Sequence, residues 1–306
     1  MAANENPGGI MKKNTTHPYI TRQNMLTNEY EIFNYSDKGL NRVTLHHHDF
    51  YECYLFLSGD VTYIIEGKSY TLMPGDIILI NSRELHQAII NNHSLPYERI
   101  VLWINKGFLH RLSSDKTDLK RCFEDSNKEN VIRADFETQE NIKTILNKLL
   151  YLEDYQGLGS ELLYKSYLIE LFVCLNTIIF QSKTHAKIDI KKSNLINEII
   201  LYINEHLEED IRIDELSNQY FISKFHLIRE FKKHSGTTIH KYIIQKKLIL
   251  AKELILQGMP IISIYKQCGF GDYSNFFRAF KKEYGVTPKQ FYELMNNSDL
   301  AKNFDA

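Results

Sequence analysis

One segment of this 306-residue chain occurs twice, 49 residues apart, and the repeat constrains the architecture more than any other feature. Residues 221–236 return as residues 270–285. Arg229 matches Arg278, Phe231-Lys232-Lys233 matches Phe280-Lys281-Lys282, Gly236 matches Gly285, and Thr238 matches Thr287. Each copy is too short to be a domain. Ser223 and Asp272 hold the same place in the two copies, and both residue types cap helix N-termini by accepting a backbone N–H. After each cap, apolar residues recur at i, i+4: Leu227 and Phe231 in the first copy, Phe276 and Phe280 in the second. A shorter helical pattern precedes each cap, at 213–219 and 261–268, and the turn between is tightest at Gly269-Phe270-Gly271. A short helix, a turn and a capped second helix make a helix-turn-helix, whose second helix enters the DNA major groove. The apolar stripe leaves Phe225, Ile228 and Arg229 outward in the first copy, and Tyr273, Ser274, Asn275 and Arg278 in the second.

Charge marks off the same region. Residues 221–291 hold thirteen Lys and Arg against four Asp and Glu, a net +9 in a chain whose net charge is −1. Positive charge that neutralises phosphates releases counterions, so a basic stretch of this kind suits nucleic acid. A charge run alone more often solvates a helix face. Here Lys232-Lys233 and Lys281-Lys282 fall on both capped helices, and Ser223 and Lys224 open the first, so these residues are expected to grip the DNA backbone. The marks of an RNA binder, aromatic platforms on a sheet or Gly-rich clamps, are missing.

Residues 194–294 resemble the C-terminal domain of AraC/XylS-type transcription regulators. The resemblance rests on Gly269-Phe270, Asp272, Ser274, Phe276, Arg278, Phe280-Lys281-Lys282, Gly285 and Thr287-Pro288, and on Lys246, Ala251-Lys252 and Leu254 between the copies. It implies that 246–254 belongs to a long helix holding two recognition helices in successive major grooves, about 34 Å apart. It also implies that Phe225, Ile228 and Arg229, with Tyr273, Ser274, Asn275 and Arg278, face the bases. Ile228 departs from a polar reader and suits only a thymine methyl.

The rest of the chain has the composition of an ordinary protein with real cores, 43% hydrophobic and 25% charged. Its four cysteines (Cys53, Cys122, Cys174, Cys268) are scattered, which fits a reducing cytoplasm better than a disulfide framework. The most apolar run, 167–180, is interrupted by Glu170 and Asn176, and no membrane partner is expected. Residues 1–16 read as a disordered tail. Period-two patterns at 54–57, 61–65, 69–72, 76–80, 86–90 and 97–104, with turns between them, predict a small barrel or sandwich. Helical patterns follow at 107–112, 137–155 and 159–181, with apolar stripes at Ile142, Ile145, Leu146, Leu149 and at Leu162, Leu168, Leu171, Leu175. Surplus apolar surface including Leu168, Phe172 and Cys174 could serve an isologous dimer contact. The Lys-rich stretch 181–193 reads as a linker and 295–306 as a C-terminal tail.

His46, His48, Glu52 and Gly59 resemble the first cupin motif, and Leu72, Pro74-Gly75-Asp76 and His86 the second. In cupin enzymes such residues hold a divalent metal. Imidazole and carboxylate suit that chemistry. They equally suit a pocket that hydrogen-bonds a polyol, and the AraC resemblance implies a cupin-like sensor fold that often takes a sugar without a metal. His46, His48, Glu52, His86 and Arg99 are therefore candidate ligand residues, with His47 an exposed neighbour.

These readings predict a multidomain α+β chain: a cupin-like β-barrel with a helical dimerisation segment over 17–180, then an all-α domain with two helix-turn-helix motifs over 194–294. The expected function is a cytoplasmic, homodimeric, sequence-specific transcription regulator. It would act on double-stranded promoter DNA with RNA polymerase, under control of a small polar effector such as a carbohydrate, and would need no cofactor beyond a possible divalent metal. The alternative is a metal-dependent cupin enzyme, a dioxygenase or sugar isomerase, with an accessory helical domain.

Overall fold

Ten strands and eleven helices follow one another in the computed structural model, among its described residues 24–125, 128–155, 157–181, 190–191 and 193–296. The tail at 1–16, residues 297–306 and most of the 181–193 stretch lie outside the described residues.

The first part runs β1 (Tyr30–Asp37), β2 (Arg42–His46), β3 (Tyr51–Ser58), β4 (Val61–Ile65), β5 (Lys68–Thr71), β6 (Ile77–Ile80), β7 (His86–Ile90) and β8 (Tyr97–Ile104). Next come α1 (Lys106–Leu112), α2 (Arg121–Glu124), β9 (Val131–Ile132), α3 (Phe136–Glu153), α4 (Ser160–Gln181) and β10 (Ile190–Lys191). The strands form two antiparallel five-stranded sheets, ordered β1-β8-β3-β6-β9 and β10-β5-β4-β7-β2. The expected barrel is thus a cupin-like pair of facing sheets, each with its own hydrogen-bonded ladder.

Strand alternation sorts the side chains. Tyr54, Phe56, Ile78, Ile80, Val101 and Trp103 of the first sheet meet Val61, Tyr63, Ile65, Ala88 and Ile90 of the second. The other face of the first sheet, with Cys53, Leu55, Leu79 and Leu102, carries α1 to α4. Helix α4 is long and apolar enough to cross a membrane by length and composition. It instead buries Leu168, Leu171, Phe172, Leu175 and Ile178 beneath the sheet. Leu168 and Phe172 are therefore core residues and unavailable for a dimer contact. The apolar residues left outward on α4 are Leu162, Leu163, Ile169 and Val173.

The outer face of the second sheet meets the helical domain: α5 (Asn194–Glu205), α6 (Ile213–Gln219), α7 (Lys224–Ser235), α8 (Ile239–Leu256), α9 (Ile261–Gln267), α10 (Tyr273–Tyr284) and α11 (Pro288–Asn296). Leu85, just before β7, is part of the core formed by Ile196, Ile200, Leu227, Phe231 and Tyr242. The second helical core gathers Leu248, Ala251, Phe270, Phe276, Phe280 and Phe291. Helix α8 contributes to both cores, so it is the beam that joins the two repeats.

The β4–β5 hairpin projects towards this domain. Its two-residue loop places Glu66 at φ 46° and Gly67 at φ 74°, the paired positive values of a type I′ turn. Gly67 also lets α5 come close, since a Cβ there would lie 2.4 Å from Ile200 Cδ1.

Candidate DNA-reading surface and sensor site

The repeat is carried into three dimensions position for position. Helices α7 and α10 each have 12 residues, capped by Ser223 and Asp272 and ended by Gly236 and Gly285 at φ 72° and 73°. Asp272 Oδ1 accepts the Asn275 N–H at 2.8 Å, and Ser223 Oγ accepts the His226 N–H at 3.3 Å. Only glycine adopts the left-handed terminus without strain, which is why both copies stop at the same place.

Ser223, Lys224, Phe225, Arg229, Lys232 and Lys233 of the first copy are exposed, as are Tyr273, Ser274, Asn275, Arg278, Lys281 and Lys282 of the second. Phe225 is 87% exposed, an unusual state for a large aromatic without a partner. Ile228 departs from the expected outward set. It is half-buried against the first helical core, because it lies three residues before Phe231 and so edges the buried stripe. One residue the sequence reading passed over is His226. Its Nδ1 lies 3.2 Å from Arg229 Nη2, and in the second copy Asn275 Oδ1 accepts from Arg278 Nη2 at 2.7 Å. The 49-residue offset aligns His226 with Asn275 and could have exposed the pairing.

Between the sheets, His48, Glu52 and His86 come together with ligand-type atoms within 4.8 Å of one another, all three buried. Backbone carbonyls orient the rings. His48 Nδ1 is 2.9 Å from Phe50 O, His86 Nδ1 is 2.9 Å from Glu84 O, and His46 Nδ1 is 2.8 Å from Thr44 O. A carbonyl only accepts, so each Nδ1 carries a proton, which turns the Nε2 atoms of His48 and His86 inward; His48 Nε2 lies 3.5 Å from Glu52 Oε2. Among the described residues, His48 Nε2 and His86 Nε2 are buried without a hydrogen-bond partner. Burial pushes the His86 imidazole well below its ordinary range and, with the neighbouring His48, lowers His46, so both stay neutral near pH 7. Burial alone would raise the Glu52 carboxyl, but His48 and the Trp103 N–H outweigh it and hold it below the usual carboxylate range. Trp103 Nε1 donates to Glu52 Oε2 at 2.9 Å.

His46 borders this trio, its ring centroid 4.1 Å from that of His86. Arg99 does not join it. Arg99 lies four residues along β8 from Trp103, about 13 Å at a strand's rise per residue, where its guanidinium sits over Tyr97 and Tyr35 and donates to Asp37. His47, expected to be exposed, is buried, with its ring centroid 6.2 Å from that of Tyr284 in α10. The helical domain covers it, which alternation within one domain cannot reveal. Its pKa falls to about 3, chiefly through burial, with the Lys252 charge adding to the effect.

The model of the AraC-like ligand-binding domain matches residues 35–172, and that of a helix-turn-helix domain matches 216–293. The chain belongs to the AraC family of transcription regulators. A protein of Photobacterium leiognathi named "Probable transcriptional regulator LumQ" is 25% identical over 252 residues, covering 81% of this chain and 91% of its own. The "HTH-type transcriptional activator RhaS" of Escherichia fergusonii is 21% identical over 250 residues, covering 80% and 86%. Among solved structures, ToxT of Vibrio cholerae covers 89% of this chain and all of its own at 15% identity, with a TM-score of 0.36. The relatives are named as regulators and activators, so this AraC-type chain is a DNA-binding regulator with a ligand-binding N-terminal domain, and the cupin-enzyme alternative is set aside.

Proposed function

We propose that this AraC-type regulator senses a small polar effector at His46, His48, Glu52 and His86, and reads promoter DNA with Arg229 and Arg278. The observation that carries the sensor assignment is the pair of buried Nε2 atoms without a hydrogen bond, on His48 and His86, beside the Glu52 carboxylate 3.5 Å from the first. An unsatisfied buried acceptor costs about 1–3 kcal/mol, so a partner that donates to several of them at once binds with that penalty removed. The hydroxyls of a carbohydrate do so, because each donates to a nitrogen or to Glu52. In this reading the regulator is a cytoplasmic homodimer that pairs through the outward apolar residues of α4 and places RNA polymerase at its promoters.

A second occupant is favoured by one specific feature. Three imidazoles with their protons already committed to carbonyls are the arrangement in which metal-binding histidines are held. His48, His86 and Glu52, with His46 beside them, would hold a divalent cation such as zinc, manganese or iron, which would supply a positive centre for effector oxygens.

The test is a DNA-binding assay on the full chain against a panel of sugars, with elemental analysis of the purified protein. A sugar that shifts DNA affinity at least fivefold in the wild type, with no shift in His48→Ala or Glu52→Ala, supports the carbohydrate reading. Stoichiometric metal lost in the same variants supports the second. Variants that respond to effector as the wild type does would remove these residues from the sensor site.

A further inference from the structure

The segments that carry the sensor histidines are the same segments that hold the DNA-binding domain. In β7, His86 points between the sheets, and its chain neighbours point the other way. Leu85 sits in the first helical core with Ile196, Ile200 and Tyr242. Gln87 Nε2 donates to the Ser235 carbonyl at the end of α7, at 2.9 Å. The turn between β2 and β3 is divided in the same way. His46 and His48 face the sensor site, while His47 lies against Tyr284 and Asp49 pairs with Lys252 of α8.

Glu66 ties these contacts to α8. Its N–H donates to Leu85 O at 3.0 Å, and its Oε1 accepts the Leu85 N–H at 2.7 Å. The same carboxylate accepts from Lys246 Nζ at 3.1 Å and from the Tyr242 hydroxyl, both on α8. Lys246 Nζ also donates to Arg83 O at 2.9 Å. A non-glycine residue with positive φ persists where its surroundings over-determine it, and Glu66 is fixed from both sides. The sensor domain therefore grips α8 at Tyr242 and Lys246 and again at Lys252, six residues further on. It holds the helix that sets one recognition helix relative to the other.

We propose that this two-sided grip is the relay by which the sensor site acts on DNA binding: a change at His48 and His86 shifts Leu85, Gln87 and Asp49, and through Glu66 and Lys246 resets α8. The proposal rests on the reading of the histidine cluster as the effector site. A ligand alters DNA affinity only if it distinguishes the arrangements of α8, and DNA must then alter ligand affinity by the same factor.

Co2+ serves as the probe, because its visible absorption reports nitrogen and oxygen ligation independently of DNA. The full chain is titrated with Co2+ with and without a duplex selected from a random pool, and with the duplex with and without Co2+. In the wild type the two coupling factors should agree and exceed fivefold. In Lys246→Met, and separately in Glu66→Gln, Co2+ should bind as before while coupling falls below twofold. The Lys246 variant leaves the sensor domain's own sequence intact, so a folding failure of the Glu66 variant does not remove the test. Wild-type Co2+ binding without coupling, or coupling that persists in Lys246→Met, overturns the relay. If the wild type takes up no Co2+, the cluster fails as a cation site, and the relay is judged with His86→Ala in place of Co2+. A change in DNA affinity that vanishes in the Lys246→Met background upholds it, and equal effects in both backgrounds reject it.

Discussion

Arg229 and Arg278 stand at the same place in helices 49 residues apart, and each guanidinium is tethered one turn back, to His226 at 3.2 Å and to Asn275 at 2.7 Å. An arginine held by a neighbour loses less rotamer freedom when it engages a base, which is how a planar fork becomes selective. The two tethers differ in chemistry, so the two half-motifs need not prefer the same base.

Arg278→Ala should weaken binding to the best site by about 1–3 kcal/mol and relax preference at one base position. Lys281→Ala should weaken all duplexes alike and flatten the salt dependence. Binding to a random-sequence pool at several salt concentrations separates the two. Equal losses on specific and unspecific DNA for Arg278→Ala would end its role as a reader.

Phe276 is fully buried in the second helical core, and its truncation to Ala should cost about 3–5 kcal/mol of stability. Arg278→Ala, two residues along the same helix but exposed, should change stability by less than about 0.5 kcal/mol. Chemical denaturation of both variants shows whether fold and reading are separable here. A large stability loss in Arg278→Ala would mean that they are not.

Ile169 and Val173 are exposed on α4 at i, i+4 spacing, with Leu162 about two and three turns before them. If the chain pairs there as proposed, the wild type should sediment as a dimer at micromolar concentration, and replacing both with Asp should leave the fold unchanged and give a monomer. A dimer that survives the change would place the contact on another surface.

Gly67→Ala adds a methyl group at φ 74°, where an L-residue pays roughly 1–2 kcal/mol, and aims it at Ile200. Thermal unfolding should show a loss of that size, and protease cleavage between the domains should quicken. Wild-type stability in this variant would mean that α5 yields readily at Ile200.

Much of this was legible in the sequence. The caps Ser223 and Asp272, the i, i+4 phenylalanines and the terminal glycines are local signals, and local signals survive translation into structure. The strands at 61–65, 86–90 and 97–104 were equally plain, because turns and period-two patterns bound them. Other features were hidden for physical reasons. The burial of His47 and the docking of Leu85 and Glu66 depend on one domain covering another, and no periodicity within either domain encodes that. Arg99 shares a strand face with the sensor trio, yet alternation fixes the face and not the position along it. Ile228 was misread because a residue at the edge of a helical stripe is neither outward nor buried by spacing alone.

Three of the basic residues counted towards DNA are instead engaged within the protein. Lys246 and Lys252 are turned into the sensor domain, and the Lys247 amine is held by the carbonyls of Glu209 and Gly269 at 2.7 and 2.6 Å. The inward half of α8 therefore adds no free charge between the recognition helices, and outside α7 and α10 the exposed basic residues of 221–291 are Lys241 at the start of α8, Lys266 and Lys289. A protein charged in this way should hold random DNA mainly at two footholds, one at each recognition helix. One foothold can release while the other stays, so the search along a chromosome becomes a matter of stepping more than of gliding.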